Sequence, residues 1–166
     1  MRLKTITLDT NCINTKQGMI AVNKLERWHK EGLVEIVKTD VMDTELGDSV
    51  ASFRQKALKK SQEYHEDIGD GVWGHSRWGH FCWRDESTGN LINEIKNLLF
   101  PEYDKLSDDA KRRALRDSMH LAAHKTYNRD VFVTEDKHFL NKRDILRERF
   151  GIMVLSPEQI AEQCLE

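Results

Sequence analysis

The stretch from Arg116 to Leu140 reads RDSMHLAAHKTYNRDVFVTEDKHFL and contains the change from helix to strand that decides the fold. Its first half has the residue spacing of a helix, and the apolar run 131–133 predicts a short buried strand. Residues 134–136 predict the turn that leaves this strand. In a parallel α/β sheet such a turn lies at the carboxyl edge, where ligands bind. A ligand site near this turn is therefore the first functional expectation from the sequence.

Strand and helix patterns alternate along the chain, which predicts a single domain over residues 1–166. Such alternation implies a central, mostly parallel sheet with helices on both faces, that is, a three-layer α/β/α sandwich. The predicted strands are 1–8, 33–38, 131–133 and 152–155. The predicted helices are about 17–31, one capped by residue 39 or 40, 49–66, 91–100, one after residue 107, 141–149 and one after residue 156.

Two of these helices have clear start signals. Ser156 can cap the last helix, with Pro157 at its first position and Gln159 placed to close a capping box. Ser107 can cap the central helix, and the two aspartates that follow it suit the positive end of the helix dipole.

The composition describes a chain of mixed charge. Its 166 residues include 26 basic and 28 acidic ones, with a net charge of −2. This balance argues against binding nucleic acid by bulk charge alone but allows a local basic rim. The three cysteines are an odd number without a CxxC pair, so a disulfide framework is not expected. We find no signal peptide and no long apolar run, and we therefore expect a cytoplasmic protein without a membrane partner.

An aromatic segment lies within an insertion that we place at about residues 60–105. Residues 64–90 contain three of the four tryptophans, among them Trp73 and Trp78, and predict a loop or lid. These tryptophans could stack on unpaired bases, although we favour a hydrophobic cluster that holds the loop down. Four possible zinc ligands lie in the same segment, but their spacing matches no established zinc site. They are His65, His75, His80 and Cys82.

Four acids fall at strand ends or on helices beside them, namely Asp9, Glu45, Asp117 and Asp136. Carboxylates that are brought together repel one another, and some stay protonated, unless a cation lies among them. Hard divalent ions such as Mg²⁺ and Mn²⁺ take oxygen ligands and usually keep several waters. The joint placement of the acids therefore predicts a shared metal site, where Asn11 and Thr134 could hold the carboxylates by hydrogen bonds.

Each acid also has a simpler interpretation when it is taken alone. Asp9 is compatible with a helix cap, and Asp136 with an ordinary turn residue. Asp117 could pair with one of the arginines at positions 113 and 116. Glu45 has acidic rivals for its role at positions 40, 43 and 48.

Histidines and basic residues near these acids are weaker candidates. His120 and His124 lie roughly on the helix face of Asp117, but packing or solvent exposure is the interpretation that we favour for both. Basic residues after Asp136 could contact phosphates at the rim of the site, although each alone is more typical of a surface charge. They are Lys137, Lys142, Arg143 and Arg147.

Four short stretches together resemble the PIN-domain nucleases in order and spacing: residues 8–11, 39–46, 116–123 and 133–139. The four acids of that family match Asp9, Glu45, Asp117 and Asp136. Its small hydroxyl residue before the last acid matches Thr134. The resemblance covers most of the chain except roughly 60–105, which departs from the compact family pattern. It implies a PIN-like fold and a site at these four acids.

The function that this resemblance implies is a metal-dependent endoribonuclease. One or two Mg²⁺ or Mn²⁺ ions would lower the pKa of a bound water and orient it for attack on an RNA phosphodiester. Many members of the family are toxins paired with an antitoxin, and others work in RNA processing. The sequence does not choose between these roles, and it leaves open an antitoxin protein or a second copy of the chain as partner.

Two other classes of function stay open. A phosphatase of the haloacid-dehalogenase type requires Asp-x-Asp after the first strand, whereas this chain has Asp9-Thr10-Asn11. A catalytically silent module could instead bind RNA or a protein through residues 64–90. Loss of cleavage on substitution of the acids separates an enzyme from such a module.

Overall fold

A five-stranded sheet, in which all the pairings are parallel, forms the centre of the protein. The computed structural model describes residues 4–13, 20–47, 51–67, 69–70, 81–82 and 86–163. The strands in chain order are β1 (Lys4–Leu8), β2 (Val34–Thr39), β3 (His65–Asp67), β4 (Gly69–Asp70), β5 (Phe81–Cys82), β6 (Val131–Val133) and β7 (Val154–Leu155). The order in the main sheet is β3-β2-β1-β6-β7, and β4 and β5 form a separate parallel pair.

Helices connect the strands, as the alternating pattern predicts. They are α1 (Thr10–Ile13), α2 (Ile20–Lys30), α3 (Asp40–Gly47), α4 (Ala51–Ser61), α5 (Glu86–Leu99), α6 (Asp108–Thr126), α7 (Lys137–Asn141), α8 (Arg143–Phe150) and α9 (Pro157–Gln163), with a short 3-10 turn at Tyr103–Lys105. In the described part of the chain, none of the helices is both long and apolar enough to cross a membrane.

The two faces of the sheet carry separate hydrophobic cores. Successive side chains of a strand point to opposite faces, and β6 shows this directly. Val131 and Val133 pack into the core that includes side chains of α2, α4 and α9. Phe132 packs into the core that includes side chains of α5, α6, α7 and α8. The chain is therefore a three-layer α/β/α sandwich, which confirms the predicted fold class.

The strand order reverses between β1 and β6, and this reversal positions the candidate site. The chain builds outward from β1 to β2 and β3, then returns to lay β6 on the other side of β1. The backbone nitrogen of Asp9, just past β1, donates to the carbonyl of Val133 at 2.9 Å. The residues that leave β1 and β6 thus emerge side by side at the carboxyl edge, the usual ligand position in such sheets.

The predicted helix caps on α6 and α9 are confirmed. The Ser107 hydroxyl accepts from the backbone nitrogen of Ala110 at 3.4 Å. At the start of α9, Ser156 and Gln159 bond reciprocally: the Ser156 nitrogen donates to the Gln159 side chain at 2.9 Å, and the Gln159 nitrogen donates to the Ser156 hydroxyl at 3.3 Å. The Ser107 cap fixes the start of the long helix α6, which carries one of the four acids.

Several local predictions differ from the structure. Residues 65–67 form strand β3, where we predict helix and then loop, because they pair with the edge of β2. The helix predicted at 49–66 ends at Ser61. The helix predicted at 141–149 is confirmed as α8, while α1 and α7 are further short helices that were not predicted.

The region predicted as an insertion, about 60–105, is partly regular structure. Strand β3 belongs to the main sheet, and α5 contributes Ile92, Ile95 and Leu99 to the second core. Trp73 and Trp78 lie outside the described residues, as do His75 and His80. The aromatic loop therefore stays a prediction.

Candidate active site

Asp9 is the most buried of the four acids predicted for the site. It follows β1 directly and is 6% exposed. The hydroxyl of Thr134 donates to its Oδ2 at 2.5 Å, and the backbone nitrogen of Thr10 donates to its Oδ1 at 2.7 Å. Both carboxylate oxygens are thus held in fixed directions by groups that follow the two central strands.

Thr134 joins the ends of β1 and β6. Besides donating to Asp9, its hydroxyl accepts from the backbone nitrogen of Asp136 at 2.9 Å and from the side-chain nitrogen of Asn11 at 3.2 Å. Asp136 caps α7, since its Oδ1 accepts from the backbone nitrogen of His138 at 2.7 Å. Thr134 and Asn11, the two predicted supporting residues, therefore lie among the acids that they would support.

Glu45 reaches the same group of residues from α3. Its Oε2 accepts a short hydrogen bond from the Thr10 hydroxyl and lies 3.3 Å from Nε2 of His120. The acidic rival two positions earlier, Asp43, instead bonds to Lys38 and Ser61 in the interior. The Glu45 side chain is thus connected to the end of β1 through Thr10, whereas Asp43 bonds to Lys38 and Ser61.

Asp117 lies on α6, and the charges of the other three acids affect the pKa of its carboxyl. Burial, then the charge of Asp9 and less strongly the charges of Glu45 and Asp136, raise the pKa of its carboxyl to about 7, while the charge of His120 opposes them. Asp117 is therefore a desolvated carboxyl with other carboxylates close to it.

The pKa shifts of the other residues around Asp117 divide these residues into two parts. Burial raises the pKa of Asp9, and its hydrogen bonds and the charge of His120 only partly offset this. Burial also opposes ionisation of Glu45, but the hydrogen bond and charge of His120 outweigh it and lower the pKa of Glu45. The pKa of His120 is raised, since these carboxylates outweigh its own burial. Glu45 and His120 therefore form an ion pair, whereas Asp9 and Asp117 hold a proton more readily than ordinary aspartates.

The donor set fits a hard divalent cation by chemistry and by charge. Carboxylate oxygens are the ligands that Mg²⁺ and Mn²⁺ prefer, and a cation among Asp9, Asp117 and Asp136 would relieve the repulsion recorded in the raised pKa of Asp117. Within the described ranges, however, no three His, Cys, Asp or Glu side chains already form a group that could hold a metal ion.

The predicted basic rim is only partly available to a ligand. The Lys142 ammonium donates to the backbone carbonyl of Leu98 at 3.0 Å and so ties the start of α8 to α5. Lys137 is exposed. Arg143 and Arg147 line a cavity of about 410 Å³ beside the edge strand β7, with Leu155 among its other walls. Leu155 pairs with Val133, the residue before Thr134, and the cavity shares no residue with the four acids.

Sequence reasoning missed two participants in this arrangement. Thr10 donates to Glu45, and His120 is buried against Glu45 and Thr39 instead of being a simple packing or surface residue. The one available signal for His120 was its position three residues after Asp117, which places both side chains on neighbouring parts of one helix face.

Comparisons with known proteins add no identification. The sequence matches no protein-family model, and a search of curated proteins finds no relative.

Proposed function

We propose that the protein is a metal-dependent endoribonuclease that hydrolyses RNA phosphodiester bonds at Asp9, Glu45, Asp117 and Asp136. The observation that carries this proposal is the grouping of these acids at the point where the strand order reverses: the Thr134 hydroxyl bonds to Asp9 and to the backbone of Asp136, and Thr10 bonds to Glu45. Functional sites commonly keep such groupings of acids at a cost to stability. The resemblance to the PIN-domain nucleases, at the same four acids, supports the same activity.

The four acids would hold Mg²⁺ or Mn²⁺, which supplies a water of lowered pKa and neutralises charge on the phosphate. The chain itself orients the acids: the Thr134 hydroxyl and the Thr10 amide fix the two oxygens of Asp9. A cysteine nucleophile is not supported at Cys12, because burial raises the pKa of this thiol and keeps it uncharged. The chemistry therefore falls to water.

RNA is the proposed substrate, and the cavity beside β7 gives it a path. Arg143 and Arg147 line this cavity together with the acidic residues Asp144 and Glu162, and the two arginines would contact phosphates of an RNA that extends past β7. An antitoxin protein, a role in RNA processing and a homodimer remain proposals that rest on the family resemblance alone.

A phosphatase is less well supported by the contacts of the first turn. The second residue after Asp9 is Asn11, whose amide is used in a hydrogen bond to Thr134. An amide cannot take the general acid role that the second Asp of an Asp-x-Asp motif would have.

The test is cleavage of a mixed RNA pool by the purified protein. We expect cleavage with Mn²⁺, none with EDTA, and none with Asp9→Asn in either buffer. Asp104→Asn is the matched control, since this exposed aspartate lies in the 3-10 turn before α6, and it should cleave like the wild type. Cleavage that survives both EDTA and Asp9→Asn would refute the proposal. Binding of RNA without any cleavage would favour the silent RNA-binding module instead.

A further inference from the structure

His120 is almost completely buried, yet its ring touches polar groups from three other elements. It is 1% exposed and lies on α6. Its Nδ1 lies 2.7 Å from the hydroxyl of Thr39 at the end of β2. Its Nε2 lies 3.3 Å from Oε2 of Glu45 on α3 and 3.4 Å from the hydroxyl of Thr10 on α1. The ring is therefore fixed on both sides.

The chemistry of these partners sets the direction of the hydrogen bonds. An ionised carboxylate can only accept, so Nε2 must carry a hydrogen and donate it to Glu45. The Thr10 hydroxyl also donates to the same oxygen of Glu45. Thr39 can serve Nδ1 as donor or as acceptor, so it holds the orientation of the ring in either protonation state.

The position of His120 links two of the proposed catalytic acids. Asp117 and His120 are three residues apart on α6, on adjacent parts of one helix face. The helix that delivers Asp117 therefore also delivers the donor that holds the Glu45 carboxylate. Glu45 has a long side chain and a mostly buried carboxylate, and without these donors it would adopt other rotamers.

We propose that His120 is a positioning residue that holds the carboxylate of Glu45 in place for the divalent cation, with Thr39 fixing the orientation of its ring. This inference rests on the proposed metal-dependent nuclease function. A residue that orients a metal ligand typically changes metal affinity by about 10- to 100-fold when it is replaced. A histidine that only filled the core would instead change stability.

Two amide variants of His120 separate a positioning role from a packing role. The side-chain nitrogen of Gln reaches about as far as Nε2 of histidine, and that of Asn reaches about as far as Nδ1. His120→Gln therefore keeps the donor to Glu45 and loses the contact with Thr39, whereas His120→Asn keeps the contact with Thr39 and loses the donor. Both remove the imidazole ring from the core, so a packing role predicts lower stability for both, more so for the shorter Asn, and no selective loss of Mn²⁺ affinity.

The primary measurement is the affinity of the protein for Mn²⁺ by titration calorimetry without RNA, with thermal melts in EDTA as the folding control. We expect His120→Asn to weaken Mn²⁺ binding at least about 10-fold and His120→Gln to retain most of the wild-type affinity. RNA cleavage should follow the same order. Equal Mn²⁺ affinities of the two variants would overturn the inference.

A further variant covers the case in which His120→Asn does not fold. Thr39→Val keeps the size of the side chain and removes the hydroxyl that orients the ring, so it should weaken Mn²⁺ binding several-fold, and an unchanged affinity would overturn the inference.

Failure of the nuclease function has a different signature. Wild-type protein that binds Mn²⁺ but cleaves no RNA refutes the nuclease, while the order of the two variants in Mn²⁺ binding still decides the role of His120. Wild-type cleavage with equal Mn²⁺ affinities of the two variants refutes the positioning role alone.

Discussion

Two groups of buried polar residues lie near each other in the fold, and the environments of their acidic side chains differ. In the first, Asp43 accepts from the Lys38 ammonium at 2.6 Å and from the Ser61 hydroxyl at 2.7 Å. Lys38 and Asp43 are both nearly inaccessible, so this is a buried ion pair. In the second, burial and neighbouring carboxylates raise the pKa of Asp117 to about 7.

The bonded partners distinguish a structural acid from a candidate metal ligand on the same helix. Asp43 and Glu45 are two residues apart on α3, and the sequence does not choose between them. Asp43 has its countercharge within the chain, at Lys38. Glu45 bonds to Thr10 and His120, which lie beside Asp9 and Asp117, two carboxyls with raised pKa values. We therefore expect the first group to stabilise the fold, and we propose metal binding for the second.

The largest expected effect is at the structural group. Asp43→Asn leaves the Lys38 ammonium buried without its counterion, and breaking a buried pair in this way costs about 3 kcal/mol of folding stability. We expect denaturant unfolding to show this loss in EDTA. The increase in melting temperature on adding Mn²⁺ should remain as in the wild type.

A double-mutant cycle sharpens this assignment. If the pair is coupled, Lys38→Met with Asp43→Asn destabilises by less than the sum of the two single variants. If Asp43→Asn loses the increase in melting temperature with Mn²⁺ but not stability, Asp43 belongs to the proposed metal site and not to a structural ion pair.

The two histidines of α6 provide the next contrast. His120 has a raised pKa, whereas burial and then the charge of Arg129 lower the pKa of His124 to about 3. His124 is folded in its neutral form beside the hydroxyl of Thr7, so its contribution to stability is present above the ordinary pKa of 6.5 and is lost as pH falls towards 3. Between pH 7 and pH 5 this loss amounts to about 2 kcal/mol.

The test is the pH dependence of unfolding in His124→Asn, in which the amide can still reach Thr7. We expect this variant to lose about 2 kcal/mol less than the wild type between pH 7 and pH 5. Parallel curves for the two proteins would show that His124 is not held neutral.

A smaller effect is expected at the cavity beside β7. Arg147→Ala should weaken RNA binding about fivefold and lower its salt dependence, because a phosphate contact releases counterions. Arg149→Ala is the control on the same helix, since it does not line the cavity. Binding is measured in EDTA to prevent cleavage. Equal weakening of RNA binding by both variants would show that Arg147 acts only as a general surface charge.

Much of the fold could be predicted because local signals agreed with it. The apolar run 131–133 is strand β6, and the Ser156 and Gln159 side chains form the expected capping box. Strand β3 could not be predicted, because His65-Glu66-Asp67 has no apolar alternation and becomes a strand only by pairing with β2.

The candidate site was predictable in position but not in its contacts. The four acids could be selected because strand ends meet at one edge of a parallel sheet. The hydrogen bonds of His120 to Thr39 and Glu45 join residues far apart in the chain, so no local pattern contains them. The rejection of Asp43 likewise depends on where the Lys38 ammonium lies.

We propose that Asp9, Glu45, Asp117 and Asp136 share a site for a divalent cation. The most direct test of this proposal is to compare thermal melts of the wild type and Asp117→Asn at pH 7.5, in EDTA and in Mn²⁺. In EDTA the variant should be as stable as the wild type or more stable by about 1 kcal/mol, since one repelling charge is removed.

Mn²⁺ should then stabilise the wild type more than Asp117→Asn, because a ligand stabilises the state that binds it. The variant should also lose RNA cleavage. Destabilisation of the variant in EDTA, together with equal shifts of both proteins in Mn²⁺, would contradict the shared site and assign Asp117 to an ion pair within the fold.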